Sequence, residues 1–284
     1  MRVARSRELV AAGRPAALVA HVAGISRQAL YRRPTRPPTG QRRPLSPTDQ
    51  VVLQVARANP TDGTRMVAAL ASRQLSSHGV NRKRVQRLMR EHRLLQPKRS
   101  EQRRRRPGFF QVTRPDELWH LDMTSVWVAE HGWCYLDAAI DCCTREIVGW
   151  SLEVGCRAQE AIGVIDHAVA SRGVVTGQLT LGSDNGTAFT SRAFRGRLTD
   201  LGIVHRRGGY RDPESQAFIE SWFSKLKQRC VWREEFETLD EARHKIGRYI
   251  DAYHHRPHSR LTYRTPREVA ATCKDHDDQS IPAA

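Results

Sequence analysis

Three acidic side chains stand where regular structure would present them to chemistry. Asp122 interrupts the apolar strand pattern WHLDMTSV, and Asp184 follows the apolar run QLTLGS at the sharp turn Asp-Asn-Gly. Glu220 falls on a helix whose apolar stripe is Ile219, Trp222, Phe223, Leu226 and Cys230, and Gln216, Ser224 and Lys227 share its polar face. Lys227 lies two turns, or about 10 Å, beyond Glu220 along the helix axis. Open α/β sheets place ligands at strand ends. If Asp122 comes from a central strand, Asp184 from its neighbour and Glu220 from a helix crossing their ends, the three carboxylates converge. Like charges at close range are unfavourable unless divalent cations bridge them. Oxygen ligands without a His/Cys cluster select Mg²⁺ or Mn²⁺ over zinc. Two such ions about 4 Å apart suit phosphodiester chemistry. A single strand-end Asp is more often a solvated cap, so the combination carries the reading.

The elements that must position these residues read as follows. Strand patterns occupy 119–128, 133–143 and 145–154, joined by short turns, which predicts an antiparallel meander. A helix over 158–171, a strand at 178–183, a helix over 191–201, a short strand IVHRR and a loop GGYRD come next. Asp212 and Pro213 form the N-cap and first position of the helix bearing Glu220. Strands first and then alternating helix and strand predict a mixed α/β sheet with helices on both faces.

Upstream, the chain reads as all helical. Residues 6–33 form short helices broken at Gly13 and Gly24, with Ser26 as an N-cap, a pattern suggestive of a small helix-turn-helix. PTRPPTGQRRP is a linker. Ser46-Pro47-Thr48-Asp49 starts a helix over 46–58, Thr64–Leu75 forms a second with Met66, Ala69 and Leu70 inward, and Asn81 caps a third to about His92. These patterns divide the chain into a helical segment and linker (1–43), a helix-turn-helix domain (44–95), a basic linker (96–114), an α/β domain with C-terminal helices (115–270) and a tail (271–284).

Charge follows the same division. The chain of 284 residues has a net charge of +17, yet residues 1–107 hold 25 basic and 5 acidic side chains while 108–284 hold 22 and 25. The excess is therefore confined to the first third, where it would meet a polyanion. On the third helix of the helix-turn-helix, Arg82, Lys83, Arg84, Arg87 and Arg90 point outward while Val85, Leu88 and Met89 face a core, as in a helix that offers cations to a DNA groove. A solvated basic face is the alternative, but acids for i,i+4 pairing are nearly absent before Glu91. Arg103, Arg104, Arg105 and Arg106 in the basic linker could track a nucleic-acid backbone without reading its sequence.

Six cysteines without a Cys-x-x-Cys pair make a disulfide scaffold improbable, and Cys142 and Cys143 read as small buried strand residues. No segment approaches 18 uncharged apolar residues. A cytoplasmic, nucleoid-associated bacterial protein with no membrane partner is expected. The distal Tyr249, Tyr253, His254, His255, Arg256 and His258 lack a structural-zinc pattern and read as core or DNA-facing.

Asp122, Asp184 and Glu220, with 35 residues between the last two and Lys227 seven after Glu220, resemble the DDE(35) signature of retroviral-type integrases and insertion-sequence transposases. LDMTSV, LDAAIDCCTREIVGW, SDNGTAF, ESQAFIESWFSKLK and YHHRPHSRLTYRTPREV are together similar to second-frame transposases of the insertion-sequence-three family, most closely its second-element subgroup. GTRMVAALASRQLSSHGVNRKRVQRLMREHRL resembles the helix-turn-helix preceding the catalytic domain in that family. The resemblance covers about residues 5–270. It implies a ribonuclease-H-like fold and a DNA transposase that nicks element ends and transfers the 3′-hydroxyl. It also implies Asp122, Asp184 and Glu220 as ligands for two Mg²⁺ ions, with Mn²⁺ as a substitute, and Lys227 as a DNA contact near the cleaved bond. The expected partners are terminal inverted repeats, target DNA, further copies of the chain, and a first-frame product or fusion, since no heptad run occurs here. GGYRDPESQAF departs from the family's more usual glycine- and asparagine-rich loop. The alternatives are a non-catalytic end-binding regulator and a Mg²⁺ nuclease of the same fold.

Overall fold

The computed structural model describes residues 2–31, 44–76, 79–96, 112–208 and 217–279, with side chains to residue 273. The described chain divides into two compact units, Met1–Ser46 and Pro47–Ala284. The first holds three helices, α1 (Arg2–Ala11), α2 (Ala16–Ala23) and α3 (Arg27–Tyr31). Gly13 and Gly24 fall between them, and the Ser26 hydroxyl accepts the Ala29 N–H at 3.3 Å. The Arg7 guanidinium ties α1 to the last turn of α3 through the carbonyls of Ala29 and Leu30.

The second unit opens with α4 (Pro47–Ala58), α5 (Thr64–Leu75) and α6 (Arg82–Glu91). Pro47 takes the first position of α4, and the Asn81 side chain caps α6 by accepting the Lys83 N–H at 2.8 Å. Their shared core is Val52, Leu53, Val55, Ala56, Val67, Ala68, Ala71, Val85, Leu88 and Met89. On α5 the buried face is Val67, Ala68 and Ala71, not the expected Met66, Ala69 and Leu70. Small side chains let three helices approach closely, and the larger Met66 and Leu70 flank the seam half-buried.

The α/β part is built on one five-stranded sheet of order β3-β2-β1-β4-β5. Its strands are β1 (Leu118–Val128), β2 (Gly132–Asp141), β3 (Ile147–Glu153), β4 (Thr180–Ser183) and β5 (Val204–Arg207). The first three form the expected antiparallel meander, and β4 and β5 add in parallel beside β1. Asp141 ends β2 and takes the N–H groups of Cys143 and Thr144, so both Cys142 and Cys143 lie in the turn instead of the strand. Burial decides the two faces. Even-numbered Val126, Val128, Cys134, Leu136, Ala138 and Ile140 pack under α10 (Ala217–Arg229) and α11 (Leu239–His254). Odd-numbered Trp119, Leu121 and Ala139 pack under α7 (Ala158–Arg172), α8 (Thr187–Thr190) and α9 (Arg192–Asp200). Helices thus cover both faces, and α12 (Pro266–Gln279) closes the described chain.

Two polar devices lock this layer structure. Arg172 at the end of α7 pairs with Asp116 at 3.0 Å, Glu146 at 2.7 Å and Asp141 at 3.5 Å, satisfying carboxylates that the β2–β3 turn buries. Asp62, in the α4–α5 loop, accepts from Arg229 at the end of α10 at 2.6 Å and from Arg256 after α11, which fixes the α4–α5 loop to the helices that cover the sheet. The distal aromatic and histidine residues are partly core. The buried Tyr253 hydroxyl donates to the Arg145 carbonyl at 2.8 Å, and His254 Nε2 accepts the Ile147 N–H at 3.0 Å. The six cysteines carry no disulfide. Among the described residues no helix is long and apolar enough to cross a membrane.

Candidate active site

Strand register places the first two carboxylates. The parallel β1–β4 ladder runs from Leu118↔Thr180 to His120↔Gly182. Asp122 and Asp184 each stand two residues past that last rung, side by side where β4 ends. Asp122 lies opposite Ala138 on β2 and so shares the even face that α10 covers. Glu220, exposed in the first turn of α10, therefore meets the sheet on the side of Asp122.

Burial pushes the Asp122 carboxyl up to about 6. Its neighbour's amide, Met123 N–H, donates to Oδ1 at 2.8 Å and works against that rise. The negative charges of Asp184 and Glu220 push it further up, and the half-buried Lys227 opposes them. Of the four residues singled out by spacing, the other three thus act electrostatically on Asp122. They are not drawn together to ligation distance: among the described residues no three His, Cys, Asp or Glu side chains could hold one metal ion.

Asp184 is fixed by its own turn. Its Oδ1 accepts the Gly186 N–H at 2.8 Å, and Asn185 Nδ2 donates to the Gly208 carbonyl at 3.0 Å, tying the turn to the end of β5. Beneath it, the Ser183 hydroxyl lies 2.8 Å from His205 Nε2. The α10 end of the site rests on a stack absent from any spacing argument. The His120 ring lies over Gly182, where a Cβ would meet His120 Cδ2 at 2.8 Å. Phe218 stacks on that ring at 5.7 Å, and the Arg145 guanidinium covers Phe218 at 3.4 Å. The loop holding Asp212, Pro213 and Gln216 lies outside the described residues.

Spacing alone passes over a further acid. Asp137 on β2 is 2 % exposed on the opposite sheet face, and burial together with Glu160 and Asp122 pushes it up to about 7. Its signal is present in the sequence, since Asp137 interrupts the apolar run WCYLDAAID as Asp122 interrupts WHLDMTSV.

On α6 the basic residues divide in two. Arg82, Lys83, Arg87 and Arg90 are exposed, while Arg84 turns back to the Asp49 carboxylate at 2.7 Å and braces α6 on α4. Arg87 lies 3.9 Å from Glu91, a weak exposed pair. Arg103, Arg104, Arg105 and Arg106 lie outside the described residues.

Known proteins resemble this chain in sequence and in fold. The integrase core domain family matches residues 112–213, and a second family described as integrase core domain matches 201–266. The transposase InsD for insertion element IS2-9 of Escherichia coli strain K12 is 28% identical over 284 residues, covering 94% of this chain and 92% of that protein. The transposase for insertion sequence element IS904 of Lactococcus lactis subsp. lactis is 32% identical over 163 residues, covering 56% of this chain and 63%, under two thirds, of its own length. Among solved structures, a chain of the simian T-cell lymphotropic virus intasome in complex with PP2A regulatory subunit B56 gamma matches with a TM-score of 0.51 and 17% identity, covering 76% of this chain and 74% of that one. That likeness identifies the sheet and its helices as the ribonuclease-H-like fold of retroviral integrases. The chain is thus similar over most of its length to insertion-sequence transposases, and two of its segments match integrase core domains.

Proposed function

We propose that the chain is a DNA transposase that cleaves strands at the terminal inverted repeats of an insertion sequence and joins the freed 3′-hydroxyl to target DNA. The observation that supports this best is the electrostatic grouping of Asp122, Asp184, Glu220 and Lys227 at the end of β4. Asp122, Asp184 and Glu220 fit Mg²⁺, or Mn²⁺ as a substitute, by donor chemistry: three hard oxygen donors, one of them held up to about 6 beside two like charges that a cation would relieve. Two bound ions would supply charge neutralisation at the attacking and leaving oxygens of a phosphodiester.

The chain's own residues orient the DNA. The Gly186 N–H holds the Asp184 carboxylate in one rotamer, and the His120–Phe218–Arg145 stack holds the first turn of α10, and with it Glu220, against β1. Lys227 presents its ammonium to the strand that crosses the carboxylates. Arg82, Lys83, Arg87 and Arg90 on α6, and Arg103 to Arg106 in the linker, bind phosphates away from the reacting bond.

Near-complete mutual coverage with InsD supports placement in the second-element subgroup of the insertion-sequence-three family. By the same reading the chain acts as an oligomer on DNA, with a first-frame product or fusion as partner. A binding-only regulator and a simple nuclease are less favoured. Neither role calls for the three carboxylates together with the helix-turn-helix that Asp62 fastens to α10. In the test, Glu220→Gln and Asp184→Asn each abolish strand cleavage while DNA affinity stays unchanged. Cleavage retained in both variants overturns the assignment.

A further inference from the structure

On α10, Phe218, Lys225 and Arg229 share one flank (i, i+7, i+11), whereas Glu220 and Lys227 share the other. The first flank faces a cluster of partly buried charged side chains that the carboxylate site does not use. Arg145 reaches it from the β2–β3 turn, Arg256, His258 and Arg260 from the segment after α11, and Asp62 from the α4–α5 loop. The charges acting most strongly on Lys225 are those of Arg229, Asp62, Arg256 and Arg145, three cations and one anion. Those acting on His258 are Lys225, Arg145, Arg260 and Arg229, cations only, which with burial push it down to about 4.

The carboxylate that acts on Lys225 among the described residues is already paired. Asp62 is 3 % exposed and takes both Arg229 and Arg256. Arg145 keeps Nε and Nη1 buried without a hydrogen-bond partner, and Arg256 keeps Nε so. Arg145 also sits at φ +67°, a left-handed conformation that a non-glycine residue adopts at a cost. Buried cationic donors normally find an acceptor. His258 Nδ1 accepts the Arg260 N–H at 3.2 Å, so its neutral ring carries its proton on Nε2 and offers a donor.

We propose that this cluster forms a recess that seats a phosphate of the DNA backbone, with Lys225 and Arg145 as its principal cations, His258 Nε2–H as a neutral donor and Arg260 at its rim. The inference rests on the DNA-processing reading and deepens it. Because Lys225 lies on the flank of α10 away from Lys227, the phosphate is not the one at the reacting bond. The α4–α5 loop borders the recess through Asp62, which pairs with Arg229 and Arg256.

The test uses the full chain and a generic fluorescent duplex, since a phosphate contact carries no sequence information. Lys225→Gln is expected to weaken binding about tenfold at low salt and to make the slope of log affinity against log salt shallower by about one, and Lys225→Arg to restore both. A slope unchanged in a folded Lys225→Gln overturns the proposal. If Lys225→Gln does not fold, Arg260→Gln, at the exposed rim, reads the same slope: a shallower slope supports the recess and an unchanged one overturns it. Inorganic phosphate separates the sources: if it raises the thermal midpoint of the parent but not of Lys225→Gln while duplex affinity is equal, the recess takes free phosphate and the DNA assignment falls. Binding is read without chemistry. A failed slope test with Glu220-dependent cleavage intact therefore defeats the recess alone, and Glu220-independent cleavage defeats the function alone.

Discussion

The amide of Gly186 donates to Asp184 Oδ1 at 2.8 Å, and a Cβ added at residue 186 would stand 2.9 Å from that same oxygen. It would also press on Phe189 Cδ2 at 3.4 Å. The backbone at Gly186, φ −56° and ψ 147°, suits any residue, so the restriction is steric and aimed at the carboxylate. Gly186→Ala should displace the Asp184 side chain and cut strand cleavage by roughly 10- to 100-fold, with little change in thermal midpoint. Full cleavage activity in the folded variant would show that Asp184 tolerates another rotamer.

Much of this site can be read in the sequence because its signals are local. Asp122 breaks an apolar alternation, Asp184 precedes an Asn-Gly turn, and Glu220 and Lys227 share a helical face, so each is visible within ten residues. The pairing of β1 with β4 meets the condition under which the two aspartates converge, a condition that the sequence pattern leaves open. What stays hidden depends on residues far apart in the chain. Nothing local tells His120 that Phe218 will stack on it, or Asp62 that Arg229 from the end of α10 and Arg256 from the segment after α11 will converge on it. The buried face of α5 departs from expectation for a related reason. Sequence patterns weight large apolar side chains, whereas the seam between α4, α5 and α6 is set by how closely Val67, Ala68 and Ala71 let backbones approach.

Through its burial, Asp137 makes the stability of the fold depend on pH. In the folded chain it holds its proton up to about pH 7, against 3.8 for an ordinary aspartate. Between those values the native state binds more protons than the unfolded one, so stability is greatest below about pH 4 and falls as pH rises through 7. Asp137→Asn removes this loss. Parent and variant should be similar at pH 4, and the variant more stable by about 2 kcal/mol at pH 8, as read by urea unfolding. Parallel pH profiles for the two proteins would rule out a buried proton at Asp137.

Arg172 pairs with three carboxylates, and two of them, Asp141 and Glu146, have side chains only 0% and 3% exposed, Glu146 keeping a second, longer pair with the exposed Arg267 at 3.3 Å. Replacing it with methionine keeps the packing of the long side chain and removes the charge. Two buried acids are then left undercompensated, and Arg172→Met should lose about 3–5 kcal/mol at pH 7. The loss should shrink in acid, where protonation neutralises the stranded carboxyls. A variant as stable as the parent in urea at pH 7 would mean that the backbone N–H groups of Asp116, Cys143 and Thr144 satisfy Asp141 unaided.

On α6, adjacent arginines should separate stability from binding. Arg84 pairs with Asp49 at 2.7 Å, and the Asp49 side chain is only 10% exposed, so Arg84→Ala removes a brace between α6 and α4 at a cost of about 1 kcal/mol. Arg87 and Arg90 are exposed, and Arg87 has only the 3.9 Å approach to Glu91, so their removal should leave stability within about 0.5 kcal/mol. Their effect belongs in DNA affinity: Arg87→Ala with Arg90→Ala should flatten the salt dependence of duplex binding by about two in log–log slope, one per lost phosphate contact. Thermal unfolding and anisotropy titrations on the same two proteins decide the matter. If Arg84→Ala flattens the salt slope while the double variant does not, α6 meets DNA through its Asp49 edge, and the exposed arginines are merely solvated.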